Sequence, residues 1–305
     1  MTDLAAAVAC LRAGDLVGMP TETVYGLAGD ARNPLAIEKI FALKQRPRSH
    51  PLIVHLADQS WLSRWARDVP DLAFEMAERY WPGPLTLVLK RAPSVLSALT
   101  GGQDTIALRV PRHPIALDLL RAFGDGLVAP SANRYQHVSP TTAAHVRSEF
   151  GDALPMVLDG GPCEIGIESS IVDLSAAQPR ILRLGSLLRE EFGAHVAASD
   201  IRVPGSDPRH YAPAHPAELI DAADWPARLA HWDGAGVRYA ALSWQNAARA
   251  HTAIAANPDP TAYAQALYRD LRQLGAASVE RILIERPPAT SVWAAVLDRL
   301  RRACA

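Results

Sequence analysis

The stretch from Gly18 to Leu56, GMPTETVYGLAGDARNPLAIEKIFALKQRPRSHPLIVHL, constrains the rest of the chain. Asp15–Met19 reads as a short buried strand, and Pro20 stops it because proline cannot donate to a ladder. A polar turn follows, with Thr21, Glu22, Thr23, Tyr25 and, past Gly26 and Gly29, Asp30. Asn33 then stands at a helix N-cap with Pro34 at the first helical position. Leu35, Ile37, Ile40, Phe41 and Leu43 give that helix an apolar side. Its end carries Lys44, Arg46 and Arg48, broken by Pro47, before a second strand over Pro51–Leu56. Strand, polar turn, helix and strand bring hydroxyls and cations to one crevice. That suits a polar, anionic ligand.

The chain has 305 residues, enough for one large domain or two ordinary ones. Its formal net charge of −1 argues against a protein whose main task is gripping nucleic acid. Charge is nevertheless uneven: Lys39 to Arg112 holds 11 Lys/Arg against 6 Asp/Glu, a local excess that suits a phosphate. Cys10, Cys163 and Cys304 form no C-x-x-C pair and read as reduced thiols. No signal peptide and no run of membrane-spanning length is legible, so a cytoplasmic protein is expected.

Taken in order, helices are expected over 3–13, 70–80 and 114–123. Strands are expected over 85–89, 105–110 and 127–130, then near 155–158, 169–174 and 180–184. Ser139 reads as the N-cap of a helix that begins at Pro140. This mixture predicts an α/β large domain over residues 1–195, with parallel and antiparallel pairs in a mixed twisted sheet. Prolines at 204, 208, 213 and 216 mark a stiff linker over 196–215. Residues 216–305 read as βαβαβα, a small parallel α/β domain.

Neither a P-loop nor G-x-G-x-x-G is present, so a nucleotide must be held another way. Lys44, Arg46, Arg109 and Arg183 are the candidate cations, with the helix start at Ser139 as an anion site. Each has a plainer reading: Lys44 and Arg46 as a solvated helix end, Arg109 as half of a structural ion pair, Ser139 as a simple cap, Ser131 as a turn former. His50 and His55 do not make a metal pair, since five residues apart they point to opposite faces of an extended segment. No metal ligand set, covalent nucleophile or general base is assigned.

PTETVYGL, followed by K-x-R-P, PLIVH, TIALRVP, PSAN, SPTT and GIESSIVD, resembles the YrdC-like family of threonylcarbamoyl-AMP synthases. Residues 216–305 resemble in outline the Rossmann-like C-terminal domain of its longer, two-domain form. The resemblance implies condensation of L-threonine, bicarbonate and ATP to threonylcarbamoyl-AMP, with pyrophosphate released. It implies Mg²⁺ carried with ATP and downstream transferase proteins that pass the group to tRNA. On matching positions, Thr23, His55, Arg109, Ala129 and Ser169 would hold threonine. Lys44, Arg46, His50, Thr105, Ser131, Ser139, Arg183 and Tyr211 would hold ATP, with Tyr211 in the linker covering the nucleotide. His50 departs from the family's usual Asn. The competing reading from another class is an RNA-binding module using a concave basic patch, with weak RNA contact as its residue.

Overall fold

The computed structural model describes residues 3–187, 189–192, 195–196 and 200–305. They form two compact units, one of Met1–Tyr135 and Ser139–Ser206, the other of Gln136–Val138 and Asp207–Ala305.

The first unit is built on a nine-stranded mixed sheet. Its strands are β1 (Val17–Met19), β2 (Gly26–Asp30), β3 (Ile53–His55), β4 (Leu85–Lys90), β5 (Thr105–Arg109), β6 (Leu127–Val128), β7 (Ser170–Asp173), β8 (Arg180–Arg183) and β9 (His195–Val196). They lie in the order β1-β2-β6-β3-β5-β4-β7-β8-β9. The β3–β5, β4–β7 and β8–β9 pairs are parallel, and the other neighbours run antiparallel. The helix Pro34–Lys44 starts as its sequence dictates: Asn33 accepts a hydrogen bond from the Leu35 N–H at 2.9 Å, and Pro34 takes the first position. Ile37, Ile40 and Phe41 are buried against the sheet, whereas Leu35 points to solvent at 72% exposure. Gln45 ends the helix in the left-handed region, at φ 54°.

Two expectations fail here. The strand near 155–158 does not form; Val157 makes only an isolated bridge to Gly18. Ser139 does not cap a helix. The helix runs Ala143–Phe150, and Thr142 caps it by accepting from the His145 N–H at 3.2 Å. The reason is competition for the backbone: the Pro140 carbonyl takes the Tyr25 N–H at 2.9 Å, which holds 139–141 extended against the polar turn.

The second unit carries four parallel strands, β10 (Ala217–Ile220), β11 (Tyr239–Ser243), β12 (Thr252–Ala255) and β13 (Arg281–Glu285), in the order β10-β13-β11-β12. Helices Trp225–Gly234, Pro260–Gly275 and Ala294–Ala303 accompany them. The βαβαβα reading omits β12. That strand is at the sheet edge and is only half covered, so its Thr-Ala-Ile-Ala carries a weak pattern.

The expected linker starts one residue too early, because Val196 pairs with Ile181 in β9, and its residues 197–199 lie outside the described residues. Residues 201–206 belong to the first unit, where Arg202 exchanges backbone hydrogen bonds with the Gln103 side chain and Val203 is buried. Residues 207–214 belong to the second, where the Ala212 N–H bonds the Gln136 carbonyl at 2.8 Å. Among the described residues, no helix is long and apolar enough to cross a membrane.

Candidate active site

Strand alternation decides which side chains can meet. In the parallel β3–β5 pair, Ile53 stands opposite Ala107 and His55 opposite Arg109, so all four leave the same face. Val54 and Leu108 face the other way, into the main core with Ile37, Phe41 and Leu87. On the first face, Ile53 and Ala107 form a small apolar cluster with Val88, Ile171 and Val203. His55 and Arg109 continue that face toward the strands' carboxyl ends. There they meet the polar turn after β1.

Arg109 is buried and its guanidinium is shared three ways. Nη2 donates to Glu22 Oε1 at 2.7 Å, Nη1 to Thr23 Oγ1 at 2.9 Å and Nε to the Gly83 carbonyl at 3.2 Å. The structural ion pair left open by the sequence therefore exists, with Glu22. It does not exhaust Arg109, since five N–H donors minus three leaves two. Thr21 locks the turn by donating to the Val24 carbonyl at 2.5 Å and accepting the Thr23 and Val24 N–H groups, both at 3.2 Å. Beside Arg109, burial and then the guanidinium charge push the His55 pKa down from 6.5 to about 3, so the ring is neutral. Its Nδ1 is buried without a hydrogen-bond partner among the described residues. An orphaned polar atom in a buried site is costly unless something arrives to bond it.

The loop before β7 supplies a second group. Ser169 Oγ lies 2.8 Å from Thr86 Oγ1 and accepts from Arg183 Nη2 at 3.1 Å, while Arg183 Nε donates to the Ser169 carbonyl at 3.0 Å. Gly185 packs so closely on this loop that a Cβ there would fall 2.2 Å from the Ser170 nitrogen. Ser139, though not a cap, is fully buried and donates to Glu168 Oε1 at 2.7 Å.

Lys44 is no solvated helix end. It is 1% exposed, and its Nζ donates to the carbonyls of Ser131 and Asn133 at 2.6 and 2.5 Å. Burial, and then the nearby Arg46 charge, hold its pKa well below the usual lysine value. Arg46 is likewise buried and donates to the Pro51 carbonyl at 2.9 Å. His50 is half-buried and meets the Tyr135 ring edge-on at 5.5 Å. Ala129, buried after β6, bonds the Ile53 carbonyl through its N–H at 3.1 Å. Thr105 opens β5, the end of the strand opposite Arg109, so it lies about 13 Å along the chain from that residue.

The structure thus brings Thr23, His55 and Arg109 together, links Ser169 to Arg183, and ties Lys44 to Ser131. Tyr211 lies in the second unit, where it stacks on Tyr268 at 5.5 Å with the Arg299 guanidinium 5.6 Å from its ring. Sequence reasoning gave no role to Glu22, Thr86 or Glu168. For Glu22 a signal existed: a buried arginine requires an acid, and Glu22 sits in the polar turn beside Thr23. Thr86 and Glu168 carry no such local signal.

A family model described as "Telomere recombination", covering the Sua5, YciO and YrdC proteins, matches residues 9–185. A second, "Threonylcarbamoyl-AMP synthase, C-terminal domain", matches residues 173–305. The chain belongs to the threonylcarbamoyl-AMP synthase family. It has the family's two-domain form, and with it the class of ATP-using transferases. The Bacillus subtilis threonylcarbamoyl-AMP synthase is 35% identical over 321 residues, spanning 98% of this chain and 92% of that protein. The Pyrococcus abyssi synthase is 34% identical over 311 residues, spanning 96% and 91%. The crystal structure of P. abyssi Sua5 complexed with L-threonine superposes with a TM-score of 0.92, at 34% identity over 99% of this chain and 94% of that one.

The RNA-binding alternative finds no support. Lys44, Arg46, Arg109 and Arg183 are 1%, 7%, 4% and 7% exposed. Cations that deep cannot track a nucleic-acid backbone along a surface.

Proposed function

We propose that the first unit condenses L-threonine, bicarbonate and ATP into threonylcarbamoyl-AMP and pyrophosphate, for threonylcarbamoyladenosine formation in tRNA. The observation that carries this reading is the Thr23–His55–Arg109 group. A buried guanidinium with two donors left and a neutral imidazole with an orphaned nitrogen stand side by side on one sheet face, in a chain matched over its whole length by synthases.

In this reading Arg109 receives the threonine carboxylate, and Thr23, His55, Ala129 and Ser169 surround the rest of the amino acid. Lys44, Arg46, His50, Thr105, Ser131, Ser139 and Arg183 serve ATP, and the nucleotide contact that the resemblance gives Tyr211 belongs to the same proposal. The threonine amine combines with bicarbonate, losing water, and a carbamate oxygen attacks the α-phosphorus of ATP as pyrophosphate leaves. Such a reaction needs alignment and charge stabilisation more than a protein nucleophile. Lys44 fixes the Ser131–Asn133 carbonyls and Arg183 fixes Ser169, which is how positions are held without flexible contacts.

Mg²⁺ enters this proposal with ATP, bound mainly by phosphate oxygens and water. We assign synthesis to residues 1–195, with 196–215 as the linker and 216–305 as its anchoring domain, in the cytoplasm and upstream of a tRNA threonylcarbamoyl transferase. Incubation with threonine, bicarbonate and ATP, followed by mass spectrometry, tests the reading. Threonylcarbamoyl-AMP is the expected product; ATP conversion to AMP without that adduct would overturn it.

A further inference from the structure

Glu22 is 1% exposed in the turn after β1, and both its oxygens are engaged. Oε1 accepts from Arg109 Nη2 at 2.7 Å and Oε2 from the Arg112 N–H at 3.1 Å. The Arg112 guanidinium does not share in this, because it pairs with Glu164 at the surface. Beside the pair, His55 is neutral. Beside Thr23 the Arg109 and Glu22 charges therefore cancel, and the Ser169 loop adds one buried charge of each sign, Arg183 and Glu168, so the sum is unchanged.

Cancellation has a consequence for the ligand. A carboxylate entering a buried pocket that held only Arg109 would complete an ion pair. Entering beside a buried Glu22, it adds a net negative charge among side chains shielded from water, which is unfavourable when uncompensated. A cation without a carboxylate brings the opposite imbalance and forfeits the two remaining Arg109 donors. A zwitterion brings no net charge, and its carboxylate can still use those donors.

We propose that Glu22 is a positioning and specificity-determining residue, which fixes the Arg109 guanidinium and makes its pocket electroneutral, so that the site takes a free α-amino acid and rejects ligands carrying only the carboxylate or only the amine. The inference rests on the threonine reading above and extends it from where the ligand sits to how its class is chosen. Glu22 does this through Arg109 and the pocket's charge, without requiring a covalent step.

The test is calorimetric titration of three ligands: L-threonine, 2,3-dihydroxybutanoate (hydroxyl in place of the amine) and threoninol (no carboxylate). The intact protein should bind threonine at least about thirtyfold more tightly than either analogue. In Glu22→Gln, threonine should weaken about tenfold while dihydroxybutanoate holds or gains, so their ratio falls to within about threefold. Glu22→Asp keeps the charge and should keep the ratio even if all affinities drop. A Glu22→Gln protein with a lower melting temperature but an unchanged ratio makes Glu22 purely structural and overturns the inference. If that variant does not fold, the intact protein still decides: dihydroxybutanoate within threefold of threonine overturns it. Failure of the intact protein to bind threonine overturns the threonine reading itself, and so the two failures are distinguishable.

Discussion

Replacing Arg109 with lysine separates what its charge does from what its shape does. Lysine preserves the positive charge opposite Glu22, so the buried carboxylate is not abandoned. It cannot reproduce three donations in one plane, to Glu22, Thr23 and Gly83. Losing the two neutral bonds, to Thr23 and Gly83, should cost about 1 kcal/mol each, near 2 kcal/mol in all. For a unit of about 200 residues that lowers the melting temperature by about 4–8 °C. Threonine binding should suffer more, because the forked contact with the ligand carboxylate is lost. A charge-assisted contact worth about 2.7 kcal/mol corresponds to about a hundredfold in affinity. Calorimetry with L-threonine and a thermal melt on the same preparation read both terms. A lowered melt with normal threonine affinity would refute the reasoning, since Arg109 would then only hold Glu22 and the turn.

Other expectations follow from contacts in the same unit. Gly185→Ala places a Cβ 2.2 Å from the Ser170 backbone nitrogen, so the Ser169 loop must shift; synthesis should fall at least about tenfold, and an unchanged rate would show that Ser169 needs no such placement. His55 stays neutral in the fold down to about pH 3 while the unfolded chain takes up a proton below 6.5. Stability should therefore decline as pH falls from 6.5 toward 3, by about 1.4 kcal/mol per pH unit from this group. Denaturant unfolding across that range should show a shallower slope in His55→Gln, and an identical slope would contradict the assignment. Lys44→Met leaves the Ser131 and Asn133 carbonyls without their buried donor, which should cost about 2–4 kcal/mol and weaken ATP binding; a variant as stable as the parent would show that the clamp is dispensable.

Much of this architecture is legible in the chain because it is written locally. Asn33-Pro34 starts a helix by satisfying free N–H groups, and the alternation in TIALR puts Arg109 on the face opposite Ile106 and Leu108. What failed was decided by partners far away in sequence. Ser139-Pro140 has the local chemistry of a helix start, yet the Tyr25 N–H claims the Pro140 carbonyl across more than a hundred residues and moves the cap to Thr142. Lys44 reads as a surface cation at a helix end until the Ser131–Asn133 turn closes over it. Glu168 stays unassigned for the same reason, since its partner Ser139 is brought to it only by the fold. The edge strand β12 escapes the pattern because its alanines are exposed and only Thr252 and Ile254 are half-covered.

In the proposed reaction ATP gives up pyrophosphate only to a carbamate made from threonine, so adenylation waits for threonine. Pyrophosphate release, followed continuously with threonine, bicarbonate and ATP each omitted in turn, tests it most directly. Release is expected only when all three are present, with loss of at least about 2.7 kcal/mol of the threonine-dependent rate advantage, roughly a hundredfold, in Arg109→Lys at limiting threonine. Release of pyrophosphate from ATP at full rate without threonine would contradict it.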